Sequence, residues 1–96
     1  MKNAGNASDP NNKYPSGTVL YITEEGGNQG VRVSASVDAE TATDSDGANI
    51  VLYWGDKITL IGNATIDNDG NYWGEINSGF IRIEYDDEIW ATTEEQ

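Results

Sequence analysis

The sequence predicts an all-β fold, a small barrel of about five to six short antiparallel strands. Three observations lead there. Apolar and polar residues alternate in several stretches, among them Ile58-Thr59-Leu60 and Val31 through Val37, and period-two alternation marks a half-buried strand. Clusters of Gly, Asn and Asp interrupt these stretches about every 8–12 residues, the spacing of small barrels and sandwiches. No segment carries the 3.6-residue apolar period of a surface helix.

Taken in order, residues 1–17 are rich in Asn, Gly, Ser, Asp and Pro and lack apolar periodicity, so they read as a flexible linker or tail. Residues 18–91 form the expected barrel domain. Thr18-Val19-Leu20-Tyr21-Ile22-Thr23 is β-prone and makes a first strand. Residues 24–29 turn, with Gly26-Gly27 able to take positive φ angles. From Val31 to Val37 the valines and Ala35 share one face, and Arg32, Ser34 and Ser36 the other. Residues 38–49 are a long acidic connection ending near the Asp46-Gly47 turn. Ile50-Val51-Leu52-Tyr53 is a short apolar strand, followed by a turn at Gly55-Asp56 and strands at 57–61 and 64–66.

Asp67-Asn68-Asp69-Gly70 is a hairpin signal, and residues 71–76 return as a Trp-bearing strand. Asn77-Ser78-Gly79 turns again. The strand after it sets Phe80, Arg82 and Glu84 against Ile81, Ile83 and Tyr85; its aromatic residues fall on opposite faces, and either face is open as the core. Asp86-Asp87-Glu88 is an acidic corner, and Ile89-Trp90 is a closing strand or a short turn. Residues 92–96 read as a frayed tail.

Ninety-six residues make one domain at most. The small core of such a chain leans on large rings: three Trp, five Tyr and Phe80. The absence of Cys removes disulfides and thiolate metal sites, and the absence of His removes the commonest general base and transition-metal ligand. Seventeen acidic residues against five basic give a formal charge of −12, which repels nucleic acid and anionic membrane surfaces. No apolar run approaches the ~20 residues of a membrane span, and no signal peptide is visible. That pattern fits a cytoplasmic protein or a piece of a larger one.

The order of elements between Val19 and Trp90 resembles the bacterial Src-homology-3 domain family. Gly55-Asp56-Lys57-Ile58-Thr59-Leu60-Ile61-Gly62 matches that family's Gly turn and Val-x-Val-Leu-Gly strand, and Asn71-Tyr72-Trp73-Gly74-Glu75-Ile76 its Trp strand. Gly79-Phe80-Ile81 matches the Gly-aromatic-aliphatic step, Tyr85 the terminal Tyr, and Val31-Arg32-Val33-Ser34 the first motif. Ser34 stands where the family has Arg, and Ser36-Val37 replaces its Gly-Pro, so the first loop departs from the pattern. The resemblance implies an SH3-like barrel that binds peptides or wall polymers, attached to a secreted or cell-surface bacterial protein and monomeric as an isolated domain.

Rings that stack on sugars, prolines or cations are the chemistry such binding needs. Tyr53, Trp54, Tyr72, Tyr85 and Trp90 are the candidate ligand-binding residues, while Trp73 and Phe80 read as core. Adjacent residues in a strand point to opposite faces, so one of Tyr53 and Trp54 is expected to be exposed. Asp44-Ser45-Asp46-Gly47 and Asp67-Asn68-Asp69-Gly70 fail the EF-hand spacing and read as turns, so no metal site is expected. Carboxylate pairs such as Asp67 and Asp69, or Asp86 and Glu88, are loop neighbours and carry no sign of an oriented catalytic pair. The expectation is a binding or targeting module, with no catalytic residue and no cofactor. It recognises a peptide, a protein segment or a peptidoglycan fragment, with no nucleic acid and no membrane insertion. The alternative is an acidic inhibitor or nucleic-acid mimic that binds a basic protein.

Overall fold

The computed structural model describes residues 13–96, and none of these is helical. The chain is all-β among the described residues. The strands are β1 (Val19–Ile22), β2 (Gln29–Gly30), β3 (Val51–Leu52), β4 (Lys57–Thr59), β5 (Thr65–Ile66), β6 (Tyr72–Ile76), β7 (Gly79–Tyr85), β8 (Glu88–Ile89) and β9 (Ala91–Thr92). These nine exceed the expected five to six because five of them are two-residue ladders, each stopped by a turn or bend. They join into three antiparallel sheets, ordered β4-β1-β9, β2-β3 and β5-β6-β7-β8. The ladders do not close into a single sheet.

Hydrogen bonds outside the ladders stitch the sheets together. The Ile61 amide donates to the Glu75 carbonyl at 2.9 Å, linking the end of β4 to β6. Arg32 and Phe80 exchange backbone bonds of 2.8 and 2.7 Å, tying the segment after β2 to β7. The Thr23 amide donates to the Trp90 carbonyl at 3.0 Å.

Alternation places the core. Leu20 and Ile22 of β1, Ile58 and Leu60 around β4, and Ile81 and Ile83 of β7 point inward together with Val31, Ile76 and Ala91. Each Leu or Ile so buried contributes about 1.5–3 kcal/mol before chain entropy is subtracted. The face left open in β7 is thereby decided: Ile81 and Ile83 are fully buried, whereas Phe80 is only half-buried.

Two glycines permit close approaches. A Cβ on Gly26 would lie 2.1 Å from the Trp90 carbonyl oxygen, and one on Gly79 would lie 2.3 Å from that of Arg32. Gly26 is needed for space, and the positive φ expected at the Gly26-Gly27 turn falls instead on Asn28 (62°). The Asp86-Asp87 corner is a two-residue hairpin turn joining β7 to β8, with both residues left-handed (φ 54° and 65°), the pattern of a type I′ turn.

The strand expected from Val31 to Val37 does not form. Only Arg32 bridges to neighbours, and Val33 is 54% exposed. The reason is local. The Arg32 guanidinium donates to the Ala39 carbonyl at 2.7 Å and the Ser36 amide donates to the Ser34 carbonyl at 2.9 Å, which folds the segment back on itself.

Residues 1–12 of the expected linker lie outside the described residues. Residues 13–17 are packed on the body: the Gly17 amide donates to the Leu60 carbonyl and the Ala64 amide to the Tyr14 carbonyl, each at 2.9 Å. The folded part therefore takes in Lys13 onward rather than beginning at Thr18. At the other end, Thr92 belongs to β9 opposite Tyr21, and residues 93–96 are exposed.

Candidate functional site

The five candidate aromatic residues occupy three settings. The first is the corner after β3. Tyr53 and Trp54 fall in the turn beyond the strand, so strand alternation does not apply, and both are exposed, at 56% and 60%. Asp56 builds this corner. Its carboxylate accepts from the Tyr53 amide at 2.8 Å, its amide donates to the Tyr53 carbonyl at 2.9 Å, and its carbonyl accepts from the Ile22 amide at 2.9 Å. The Gly55 amide donates to the Ile22 carbonyl at 2.8 Å. Two large rings thus project from a backbone that is already fixed.

The second setting surrounds Arg82. Its Cζ lies 4.3 Å from the Tyr85 ring centroid, 5.0 Å from that of Trp90 and 5.5 Å from that of Trp73. Tyr85 packs edge-on against both Trp90 and Trp73, at 5.6 and 6.3 Å. Trp73 is fully buried, as expected of a core residue, yet it stands apart from the main aliphatic cluster and belongs to this aromatic group. Burial holds the Arg82 guanidinium below its usual pKa, and the neighbouring Arg32 charge adds to that, against the opposing pull of Tyr85. The sequence reading did not single out Arg82. Its signal was a cation opposite Trp73 in the β6–β7 register, which becomes visible only when the hairpin is paired.

Tyr72 is in the third setting. It packs edge-on against Tyr14 at 5.4 Å, and the Lys13 ammonium lies 5.3 Å from its ring centroid. Glu84, opposite Tyr72 in the ladder, takes a 2.8 Å ion pair from Lys13 and a short hydrogen bond from the Tyr14 hydroxyl. Burial pushes the Glu84 carboxyl up, but the bonds from Lys13 and Tyr14 outweigh it and leave the group below the usual carboxylate range. Burial, reinforced by Glu84, pushes the Tyr14 phenol well above its ordinary value. Tyr72 is thus covered by a segment whose composition is that of a linker.

The first two settings are neighbours across the 23–28 loop. Gly27 lies against the Trp54 backbone and Gly26 against that of Trp90. No single groove gathers all five residues.

The two acidic turns are built alike. The Asp44 Oδ1 accepts from the amides of Asp46 and Ala48, and the Asp67 Oδ1 from those of Asp69 and Asn71. Asp67 differs in its second oxygen, which accepts from the Trp73 indole at 2.9 Å and the Asn71 side chain at 3.2 Å. Burial raises the Asp67 pKa, and these bonds more than offset it, so the group sits below its usual value. Both shifted carboxylates, Asp67 and Glu84, move down, opposite to the shift a general acid needs at neutral pH. An open cleft of about 390 Å³ lies between residues 35–38 and 67–69, with Asp38 and Asp69 on its walls. Among the described residues no three acidic side chains converge to hold a metal ion, and no helix is long and apolar enough to cross a membrane. No protein-family model, curated protein or solved structure matches the chain.

Proposed function

We propose that the chain is a non-catalytic binding module of the bacterial SH3-like kind, with the Tyr53–Trp54 corner as its contact surface. Its ligand is a wall glycopeptide or a protein segment, and its setting is a secreted or surface-attached bacterial protein. One observation carries the reading: two adjacent large rings stand in solvent on a corner held by four backbone-anchored hydrogen bonds. Rings presented this way lose little conformational freedom on binding, so their buried area converts efficiently into affinity. The rest of the chemistry agrees. A sequence without His or Cys, whose shifted carboxylates go down, offers contact surface rather than an activated nucleophile or acid. The β4–β1 pairing, the β6–β7 hairpin and the link from Ile61 to Glu75 support an SH3-like arrangement of the strands.

A nitrogen–proton NMR titration with a disaccharide-peptide muropeptide, and separately with an extended uncharged peptide, tests this. Saturable shifts are expected at Tyr53, Trp54 and Asp56. Replacing Tyr53 and Trp54 together by Ala is expected to weaken binding at least about tenfold, the usual cost of losing an aromatic anchor. Unchanged affinity in that variant would sink the proposal. So would silence with both ligands alongside binding of a basic polypeptide across the acidic loops, which is the behaviour of an acidic mimic.

A further inference from the structure

Arg82 is a half-buried cation with no acceptor among the described residues. Among the other described cations, Lys13 pairs with Glu84, Arg32 donates to the Val37 and Ala39 carbonyls, and Lys57 is exposed to water. Arg82 instead has its flat guanidinium against three rings, and its Nε is buried with no hydrogen-bond partner. The indole Nε1 of Trp90, whose ring it touches, is also buried and unpartnered. Buried donors lacking an acceptor are uncommon, and each costs free energy while it stays unpaired. Among the described residues the terminal nitrogens of Arg82 make no bond, yet they are not among the buried unpartnered atoms, so the far end of the guanidinium reaches solvent.

The backbone beneath this side chain is fixed. The Gln29 side chain accepts from the Arg82 amide at 3.0 Å and donates to its carbonyl at 3.4 Å. Gln29 is itself buried. A fixed root, a walled guanidinium and two N–H groups without an acceptor lie together on one side of β7 and β8.

We propose that Arg82 and the Trp90 indole N–H form a carboxylate-binding site, walled by Trp73, Tyr85 and Trp90, which takes the free carboxylate of a peptide terminus. A planar carboxylate matches the guanidinium fork, accepting one bond from Nε and one from a terminal nitrogen. Its second lone pair on the inner side gives the indole N–H its acceptor. The Trp90 backbone is tied by its amide to the Ile83 carbonyl and by its carbonyl to the Thr23 amide, so the oxygen enters by a turn of the ring about its own side-chain bonds. The chain's charge of −12 selects for a singly charged ligand and against phosphate, whose second charge adds repulsion. The site goes beyond the Tyr53–Trp54 surface and stands without it.

The test uses N-acetylglycine as the probe and its amide as the control, at constant pH and ionic strength, reading the Arg82 Nε–H and Trp90 indole resonances. Saturable shifts of both with N-acetylglycine are expected, with Kd on the order of 1–10 mM, as befits a ligand of few atoms. The amide is expected to leave them still, and inorganic phosphate to bind at least about tenfold more weakly. Arg82→Gln abolishes the response. Should that variant not fold, Trp90→Phe keeps the ring, removes one donor and weakens the carboxylate about threefold or more. Tyr53→Ala with Trp54→Ala leaves it in place. Equal shifts from acid and amide, no saturable shift at either resonance, or full affinity in Trp90→Phe would each overturn the assignment.

Discussion

Glu84 shows how one side chain joins distant parts of the sequence. It lies on β7, opposite Tyr72 on β6, and it receives both Lys13 and the Tyr14 hydroxyl from the start of the folded part. Nothing local to Tyr14 predicts this docking, because its partner lies 70 positions away in a stretch of otherwise linker-like composition. The ladder makes it intelligible: Tyr72 and Glu84 face each other and offer a ring and a charge side by side. The pH consequence has a definite sign. Glu84 is lowered in the folded state, so its contribution is fully present above the unfolded value near ~4.3 and fades as pH falls through the folded value. Glu84→Gln is therefore expected to lose about 1 kcal/mol at pH 7, after discounting for solvent screening, and to match the parent chain by about pH 3. Urea unfolding at the two pH values checks this; an equal loss at both would remove the carboxylate from the explanation. Trp54 was half legible in the sequence. Its exposure was foreseen as one of a pair, and both members are exposed because the chain leaves β3 before reaching them.

Turns were the most legible elements. The hairpin at residues 67–70 and the two-residue link between β6 and β7 are where Asp, Asn and Gly spelled them out. Strand edges were less so, as the 31–37 segment shows: valines alternated, but the serines and the Arg32 guanidinium supplied backbone partners within the segment that competed with a ladder. Turn chemistry also separates two acidic loops that look alike in sequence. Asp44 and Asp67 each accept two backbone amides, but only Asp67 also holds the indole of buried Trp73. Replacing Asp67 by Asn turns an acceptor toward that indole into a donor in one of its two orientations, or forfeits the turn bonds in the other. Asp67→Asn is thus expected to cost about 1–2 kcal/mol, and Asp44→Asn to stay within about 0.5 kcal/mol. Paired denaturant titrations decide it, and equal costs would mean that the indole bond adds nothing.

At the scale of the molecule, the all-β class was readable from periodicity, whereas closure was not, because it depends on hydrogen bonds between segments far apart in the chain. The aromatic group around Arg82 was unreadable for the same reason. The excess of twelve negative charges strains the folded state through self-repulsion. Raising sodium chloride from low ionic strength to 0.5 M screens it, since the Debye length contracts well below molecular dimensions. The thermal midpoint is expected to climb by about 5 °C, and a flat or falling midpoint would show that local ion pairs dominate instead. The stitching has one further consequence. Along its outer rim β7 meets Arg32 at Phe80, the Gln29 amide at Arg82 and β8 from Glu84 onward. The longest strand is thereby left without a vacant backbone edge, and the two outer strands of that sheet, β5 and β8, are only two residues long. Another copy of the chain would have to peel away the 29–32 segment before β7 could template a shared sheet, which makes these few bonds a guard against aggregation as much as a support for the fold.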